Sequence, residues 1–301
     1  MGLLPVIYAI KPVLTLLNRK GFNHLRRITA DLSLGPLLER QPRFHYKYLV
    51  PFAAASFDRR TRLHVLINHY ECIKARTNLA YFEAMNTSAV IWRQRIGPDE
   101  CTISLSYPLH VFNEAEVSLH FSWNSTLTQV VSFVIAPGTA VGAPTPHVML
   151  FGQVQGFANA ALLKEVTKAL HDITPAVLLV HAAYGIATAL QLGGAAGVTK
   201  DNKVGKWENR YFDYNAFWLD LKGELNAQGN TYLLPVPPPE RPIEEYKRNH
   251  RARTLRKRQF KESIREEVAR YWQQAFCCDQ APVPPAASYP EQVLSGQLVM
   301  A

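Results

Sequence analysis

Hydrophobic and polar positions change their period twice along this chain. In the first ninety residues the spacing is helical. Behind a possible cap at Ser56, Leu63, Leu66, Ile67, Tyr70 and Ile73 recur at steps of three and four, and Arg59, Arg60, Arg62 and Lys74 lie on the other side. Then the period becomes two. Cys101, Ile103, Leu105 and Tyr107 alternate with Thr102, Ser104 and Ser106; Val117, Leu119, Phe121 and Trp123 alternate with Ser118, His120 and Ser122. The stretches 129–136 and 147–154 add two further strands, and the turns between are short. An antiparallel meander of four or five strands over about 88–154 is predicted.

After residue 156 the pattern becomes βα. Residues 159–171 carry Leu162, Leu163, Val166 and Leu170 on one helical side, and Pro175 is expected to end that helix. Ala176–His181 reads as a buried strand, Gly185–Leu192 as a helix, a Gly197-Val198 strand follows, and 211–221 reads as an aromatic-rich strand or mixed segment. A long helix is predicted over 244–276, with Phe260, Ile264, Val268 and Tyr271 as its buried stripe. The expected fold class is α+β: a helical N-terminal part (1–87), a mixed core with a C-terminal helix (88–278), and a flexible tail (279–301). Leu3–Leu17 is apolar but broken by Pro5, Lys11 and Pro12, with no cationic region before it and no small-residue cleavage site. It predicts a docked amphipathic helix or a membrane-surface anchor, and no transmembrane segment.

At 301 residues, 48% hydrophobic and 19% charged, the composition is that of a folded protein with a substantial core. The net charge of +9 is local, because eight cations fall between Lys247 and Lys261 with no acid among them, leaving +1 for everything else. Four cysteines, Cys72, Cys101, Cys277 and Cys278, show no C-x-x-C spacing, so reduced thiols in a cytoplasmic protein are expected.

Several segments occur in a familiar order. They are GQVQG at 152–156, Ala169-Leu170-His171 with Pro175 beyond, Gly197-Val198, FDYNAFW at 212–218, Tyr-Leu-Leu-Pro at 232–235, and the Lys/Arg run that follows. In this order they resemble the bacterial VirK/YbjX family. Two places depart from its pattern. Asp172 and Thr174 stand where glycine and a basic residue are commoner, and Lys222 precedes a single Gly223 where two glycines are usual. The resemblance implies a link to virulence and to envelope or antimicrobial-peptide stress, rather than a particular reaction.

Two constellations offer chemistry. Gln153, Gln155, Gly156, Ala158 and Asn159 follow a predicted strand and open a helix, and the spacing resembles the Q/R-x-x-G-x-G/A loop of GNAT acyltransferases. There, backbone amides and a helix N-terminus hold the pyrophosphate of an acyl-CoA. No cofactor is otherwise indicated, and acyl-CoA is the one this resemblance implies. Tyr184 as acid, and Glu116 or His120 as base or relay, are the titratable candidates; none is fixed as catalytic. The second constellation is the basic run, with Lys247, Arg248, Arg251, Arg256, Arg258 and Lys261 as candidate anion-binding residues. An anionic membrane surface or a phosphate-rich ligand suits it, placing the protein in the cytoplasm or at the periphery of the inner membrane. No motif that reads DNA or RNA accompanies it, so specific nucleic-acid recognition is not expected. His64 and His69 are five apart, and no metal site is predicted. Neither a G-x-S-x-G elbow nor a Walker loop occurs.

Overall fold

A computed structural model describes residues 18–108, 113–205 and 212–278. The apolar N-terminal stretch, the tail from 279 and Tyr211 lie outside these residues.

Helices come first. These are α1 (Arg19–Ala30), α2 (Gly35–Arg40), a 3₁₀ segment Phe44–Leu49, α3 (Arg59–Arg76) and α4 (Leu79–Thr87). The cap of α3 is Asp58 rather than Ser56, its side chain accepting the Thr61 amide at 2.7 Å. The predicted face of α3 is buried.

Five strands then form the meander: β1 (Val90–Ile96), β2 (Asp99–Ser106), β3 (Val117–Trp123), β4 (Thr126–Pro137) and β5 (His147–Gly156). Beyond them come α5 (Ala160–Ala169), α6 (Pro175–Ala189), β6 (Ala195–Val198), α7 (Tyr214–Asp220), β7 (Glu224–Leu225), β8 (Thr231–Leu234) and α8 (Arg248–Ala275). The fold is α+β, with one eight-stranded sheet in the order β1-β2-β3-β4-β5-β6-β8-β7. Every neighbouring pair is antiparallel except β5/β6.

The middle of the sheet is covered on both sides. Side chains on a strand alternate between faces. Phe151 meets Tyr184 of α6 at 6.3 Å between ring centroids, while the neighbouring Gly152 turns its Cα toward the carbonyls of Ala53 and Glu114. Burial from both sides explains why β4 lacks a clean polar face: it is buried from Thr128 to Pro137, and its polar members are paired within the sheet. Ser132 Oγ donates to Gln153 Oε1 at 2.8 Å and meets Ser118 Oγ at 2.7 Å.

Three further expectations are corrected. Ala176–His181 is the first half of helix α6, not a strand; Pro175 opens this helix, and Thr174 caps it by accepting the Val177 amide. The misreading arose because α6 is buried nearly all round, between the sheet and α8, so no amphipathic period marks it. Within the 211–221 segment, residues 214–220 form a helix, whose start is fixed by Asp213 accepting the amides of Asn215 and Ala216. The long helix was foreseen, but its fourth buried position is Trp272, in step with Phe260, Ile264 and Val268, while Tyr271 is exposed. Close contact between α6 and α8 depends on Gly185: a Cβ there would lie 2.3 Å from the Arg265 carbonyl oxygen.

Candidate functional site

Ligands of open sheets with parallel strands collect where neighbouring strands part at their carboxyl ends. Among the described residues this sheet has one such place. β5 and β6 run side by side for three residue pairs, Met149–Ala195, Leu150–Ala196 and Phe151–Gly197, and then separate. β5 continues to Gly156 along β4, whereas β6 turns away with β8. At the point of parting β5 carries a bulge: Phe133 faces Phe151 and Ser132 faces Gln153, leaving Gly152 without a partner. Gly152 cannot carry a side chain, since a Cβ would sit 2.0 Å from the Glu114 carbonyl oxygen.

Helix α7 fills the parting, its Trp218 ring so close that a Cβ on Gly197 would lie 2.3 Å from it. The Tyr214 hydroxyl accepts the Val154 amide at 2.9 Å and donates to the Val154 carbonyl at 3.1 Å. The Trp218 indole stacks on Phe151 at 5.6 Å and donates to the Val198 carbonyl at 2.9 Å. Beside them is Glu114, buried in the segment that crosses Gly152. Burial pushes its carboxyl up to about 7, against the opposing pull of the Gly205 amide and the Lys203 ammonium. The Lys203 ammonium also stands 5.9 Å from the centre of the Tyr214 ring. A buried carboxyl raised toward neutral pH beside the parting of two strands is suited to acid–base chemistry.

Two residues further on, Glu116 has a different environment. Lys47 Nζ donates to Glu116 Oε1 at 2.5 Å and to the Ala115 carbonyl at 2.9 Å, and the Tyr70 hydroxyl donates to Glu116 Oε2 at 2.5 Å. All three side chains are buried. Burial pulls the Lys47 ammonium below the usual lysine range, and the Glu116 carboxylate opposes that pull. Glu116 is thus held in an ion pair inside the core. His120 lies on β3 near Ser106 Oγ, at 3.3 Å, and Tyr184 is packed in α6 against Phe151 and His181. The structure does not bring Tyr184, Glu116 and His120 to the crevice together with Glu114. Sequence reasoning missed Glu114, because both glutamates are buried and what sets them apart is the partners the fold gives Glu116, Lys47 and Tyr70.

The chain does turn from strand to helix at Gly156, which is exposed, and Asn159 caps α5 by accepting the Leu162 amide at 2.9 Å. Gln153 is buried in the sheet and donates to Gln155 Oε1 at 2.7 Å. The amides of Phe157 and Ala158 turn inward and donate to the Thr128 carbonyl, at 2.9 and 3.3 Å. In the first turn of α5, the amides of Ala160 and Ala161 have no intrahelical acceptor, and both residues are exposed. An anion at this turn would be held by those two amides, with Gly156 leaving space before them.

The basic run is largely occupied. Arg258 and Lys261 hold Glu240 at 2.5 and 3.2 Å, and Arg253 and Lys257 hold Asp172 at 2.6 and 3.9 Å. Arg251 donates to the carbonyls of Tyr246 and Glu244, at 3.0 and 2.6 Å. Lys247, Arg248 and Arg256 are exposed and make no such contact among the described residues.

Cys72 is the other potential nucleophile. Its sulfur is 3.4 Å from His147 Nδ1, but that same nitrogen is 2.9 Å from Asn68 Oδ1. Burial pushes the thiol up to about 11, so Cys72 is a core residue and not a reactive one. Among the described residues, no cluster of three or more His, Cys, Asp or Glu is placed to hold a metal ion. No helix among them is long and apolar enough to cross a membrane.

Comparison with known proteins bears on the whole of this architecture. A family profile described as "Protein of unknown function (DUF535)" matches residues 12–270. "Uncharacterized protein YbjX" of Escherichia coli (strain K12) is 26% identical over 251 residues, covering 79% of this chain and 74% of the relative. No solved structure matches. The match spans the helices, the sheet and most of α8, and by it this chain belongs to the DUF535 family, the VirK/YbjX proteins that its ordered motifs resemble.

Proposed function

We propose that this protein is an acyl-CoA-dependent N- or O-acyltransferase of GNAT type, acting on an envelope precursor or protein. The observation that carries this reading is the parting of β5 and β6 after three residue pairs, with a neutral-titrating carboxyl buried beside the gap. Also in its favour are the antiparallel meander, the helical crossover to a parallel neighbour, and the strand-to-helix turn at Gly156. An acyl-CoA would be a substrate here. Its phosphates suit the open amides of Ala160 and Ala161, and its thioester would lie toward the parting of β5 and β6. The role in envelope and antimicrobial-peptide stress implied by the family resemblance would follow from modification of a surface component.

Calorimetric titration with acetyl-CoA, longer acyl-CoAs and free CoA tests this. Binding by the wild type, lost in Gly156→Trp, is the expected result. Absence of binding across all chain lengths ends the reading.

A second reading is favoured by one specific observation. Lys247, Arg248 and Arg256 are exposed near Leu255, itself 46% exposed, on the first half of α8. Cations around an exposed apolar side chain suit an anionic membrane surface, which would place the protein at the cytoplasmic face of the inner membrane. Sedimentation with anionic liposomes at two salt concentrations tests it. Binding should fall with salt and with Arg256→Glu; equal retention of the variant at both concentrations counts against it.

A further inference from the structure

We propose that the outer face of α1, together with the first turn of α3, is a docking surface for an anionic lipid bilayer. This goes beyond the acyl-transfer reading and uses a surface other than the basic helix. From Arg19 to Arg76 the chain holds twelve Lys or Arg against four Asp or Glu, a net of +8. The balance of +1 outside the run 247–261 conceals it, because the residues outside both segments carry −7. On α1 the buried side is Phe22, Leu25, Ile28 and Thr29. Arg19 and Arg26, and likewise Lys20 and Arg27, are two helical turns apart, so the four share the opposite side, where all are exposed. Helices α1 and α3 lie together. A Cβ on Gly21 would be 2.9 Å from the Leu63 side chain; further along, His24 meets Glu71 at 2.7 Å and Lys74 meets Asp31 at 2.5 Å. The exposed Arg60 is one turn before Leu63 on that side of α3, so it stands where α1 begins. Arg19, Lys20, Arg26 and Arg60 make no ion pair among the described residues.

The helices do not call for these cations. Arg60 lies in the first turn of α3, where the helix dipole opposes a positive charge, and no acid follows the Asp58 cap within that turn. Two of the four acids, Asp31 and Glu71, are taken up by Lys74 and His24, which leaves the exposed arginines and Lys20 facing outward. Such a face suits a surface dense in phosphate. The sequence leading into α1 favours a bilayer over a soluble polyanion. Leu3–Leu17 is apolar, and Arg19 and Lys20 follow it one residue later. A basic patch or a short apolar stretch alone gives marginal binding, whereas the two together hold a protein at an interface. Their contributions also separate by experiment, since salt screens only the first.

The test is co-sedimentation of the full chain with mixed phosphatidylcholine–phosphatidylglycerol vesicles at low and high salt, with pure phosphatidylcholine as the neutral reference. The wild type should partition to the anionic vesicles. Lys20→Glu combined with Arg60→Glu should lower the partition coefficient about 100-fold or more at low salt, each reversal removing an attraction and adding a repulsion. Both new glutamates fall in a first helical turn, which they suit, so the urea midpoint should hold and lost binding would not be lost fold. Leu14→Asp should weaken binding at both salt concentrations, because what it removes is not screened. A wild type that ignores anionic vesicles, or a double variant that binds them equally well, overturns the proposal. So does binding of inorganic polyphosphate as tight as that of vesicles, with vesicle binding unchanged in Leu14→Asp; the face would then be a site for a soluble polyanion. Arg256→Glu separates this surface from α8 and should leave most of the partition in place. Loss in Arg256→Glu with none in the double variant assigns the binding to α8 and overturns the proposal.

Discussion

The Tyr214 hydroxyl replaces a missing strand neighbour for Val154, lying 2.9 Å from its nitrogen and 3.1 Å from its oxygen. One side chain thereby satisfies both backbone groups that the parting of β6 leaves bare. Tyr214→Phe would strip two buried polar groups of their partner at once. A loss of about 2–3 kcal/mol in urea unfolding is expected, from the cost of unpaired buried backbone groups. An unchanged midpoint would mean that water takes over the role.

Lys47 and Glu116 give a contrast between single and paired changes. Lys47→Met leaves a buried carboxylate without its counter-charge and should cost about 3–5 kcal/mol. Adding Glu116→Gln to that variant should recover a good part of the loss, because the uncompensated charge is then gone. A double variant that is less stable than the single one would show that the uncompensated carboxylate is not the source of the loss. Equilibrium denaturation of the three proteins settles the order.

The pH dependence of stability has a predictable sign. Burial, with Lys47 adding to it, lowers His69 to about 3, and burial with Lys261 and Arg265 lowers His181 to about 3. Each is neutral in the fold but protonated when unfolded below 6.5, so its stabilising contribution is complete above 6.5 and is lost as pH falls toward 3. Glu114 acts oppositely: raised from 4.5 to about 7, it favours the fold as pH falls through that window. Between pH 6 and 5, these three groups together contribute a fall of about 1.4 kcal/mol per pH unit, and His45 and His64, also lowered by burial, act in the same direction. His181→Leu should flatten this slope and Glu114→Gln should steepen it, as read from denaturant midpoints across pH.

Lys222 has a backbone φ of +64°, the left-handed region that suits glycine, and it is exposed. It is also a position where the pattern that the family resemblance implies has glycine. Lys222→Gly should therefore stabilise the protein by roughly 0.5 kcal/mol, the relief of strain exceeding the entropy glycine adds to the unfolded chain. Thermal unfolding checks it. Asp172, another departure from that pattern, also has a positive φ, of +61°, but it holds Arg253, so the same substitution there should not stabilise.

How far the sequence disclosed this fold depended on which faces water touches. The alternation at 101–107 and 117–123 marked strands correctly, and Phe260, Ile264 and Val268 marked the long helix, because each element has one wet side. α6 was misread because it has almost none: from Pro175 to Ala189 only Val177 and Thr188 escape burial. The strand-to-helix turn at Gly156 was legible from its glycine and its Asn159 cap. Which way its amides point was not, since that depends on where the Thr128 carbonyl of β4 falls. Glu114 was hidden for a similar reason, its character coming from burial, which only the assembled fold supplies.

The clasp of Arg258 and Lys261 on Glu240, and of Arg253 and Lys257 on Asp172, changes what the basic helix presents to a polyanion. Eight cations suggest a strongly electrostatic arm, yet five of them already have internal acceptors. A phosphate lattice docking here without disturbing those contacts would displace about three counterions rather than eight, giving a shallow dependence of affinity on ionic strength. Such a surface is better suited to a loose, readily reversed encounter than to a lasting grip.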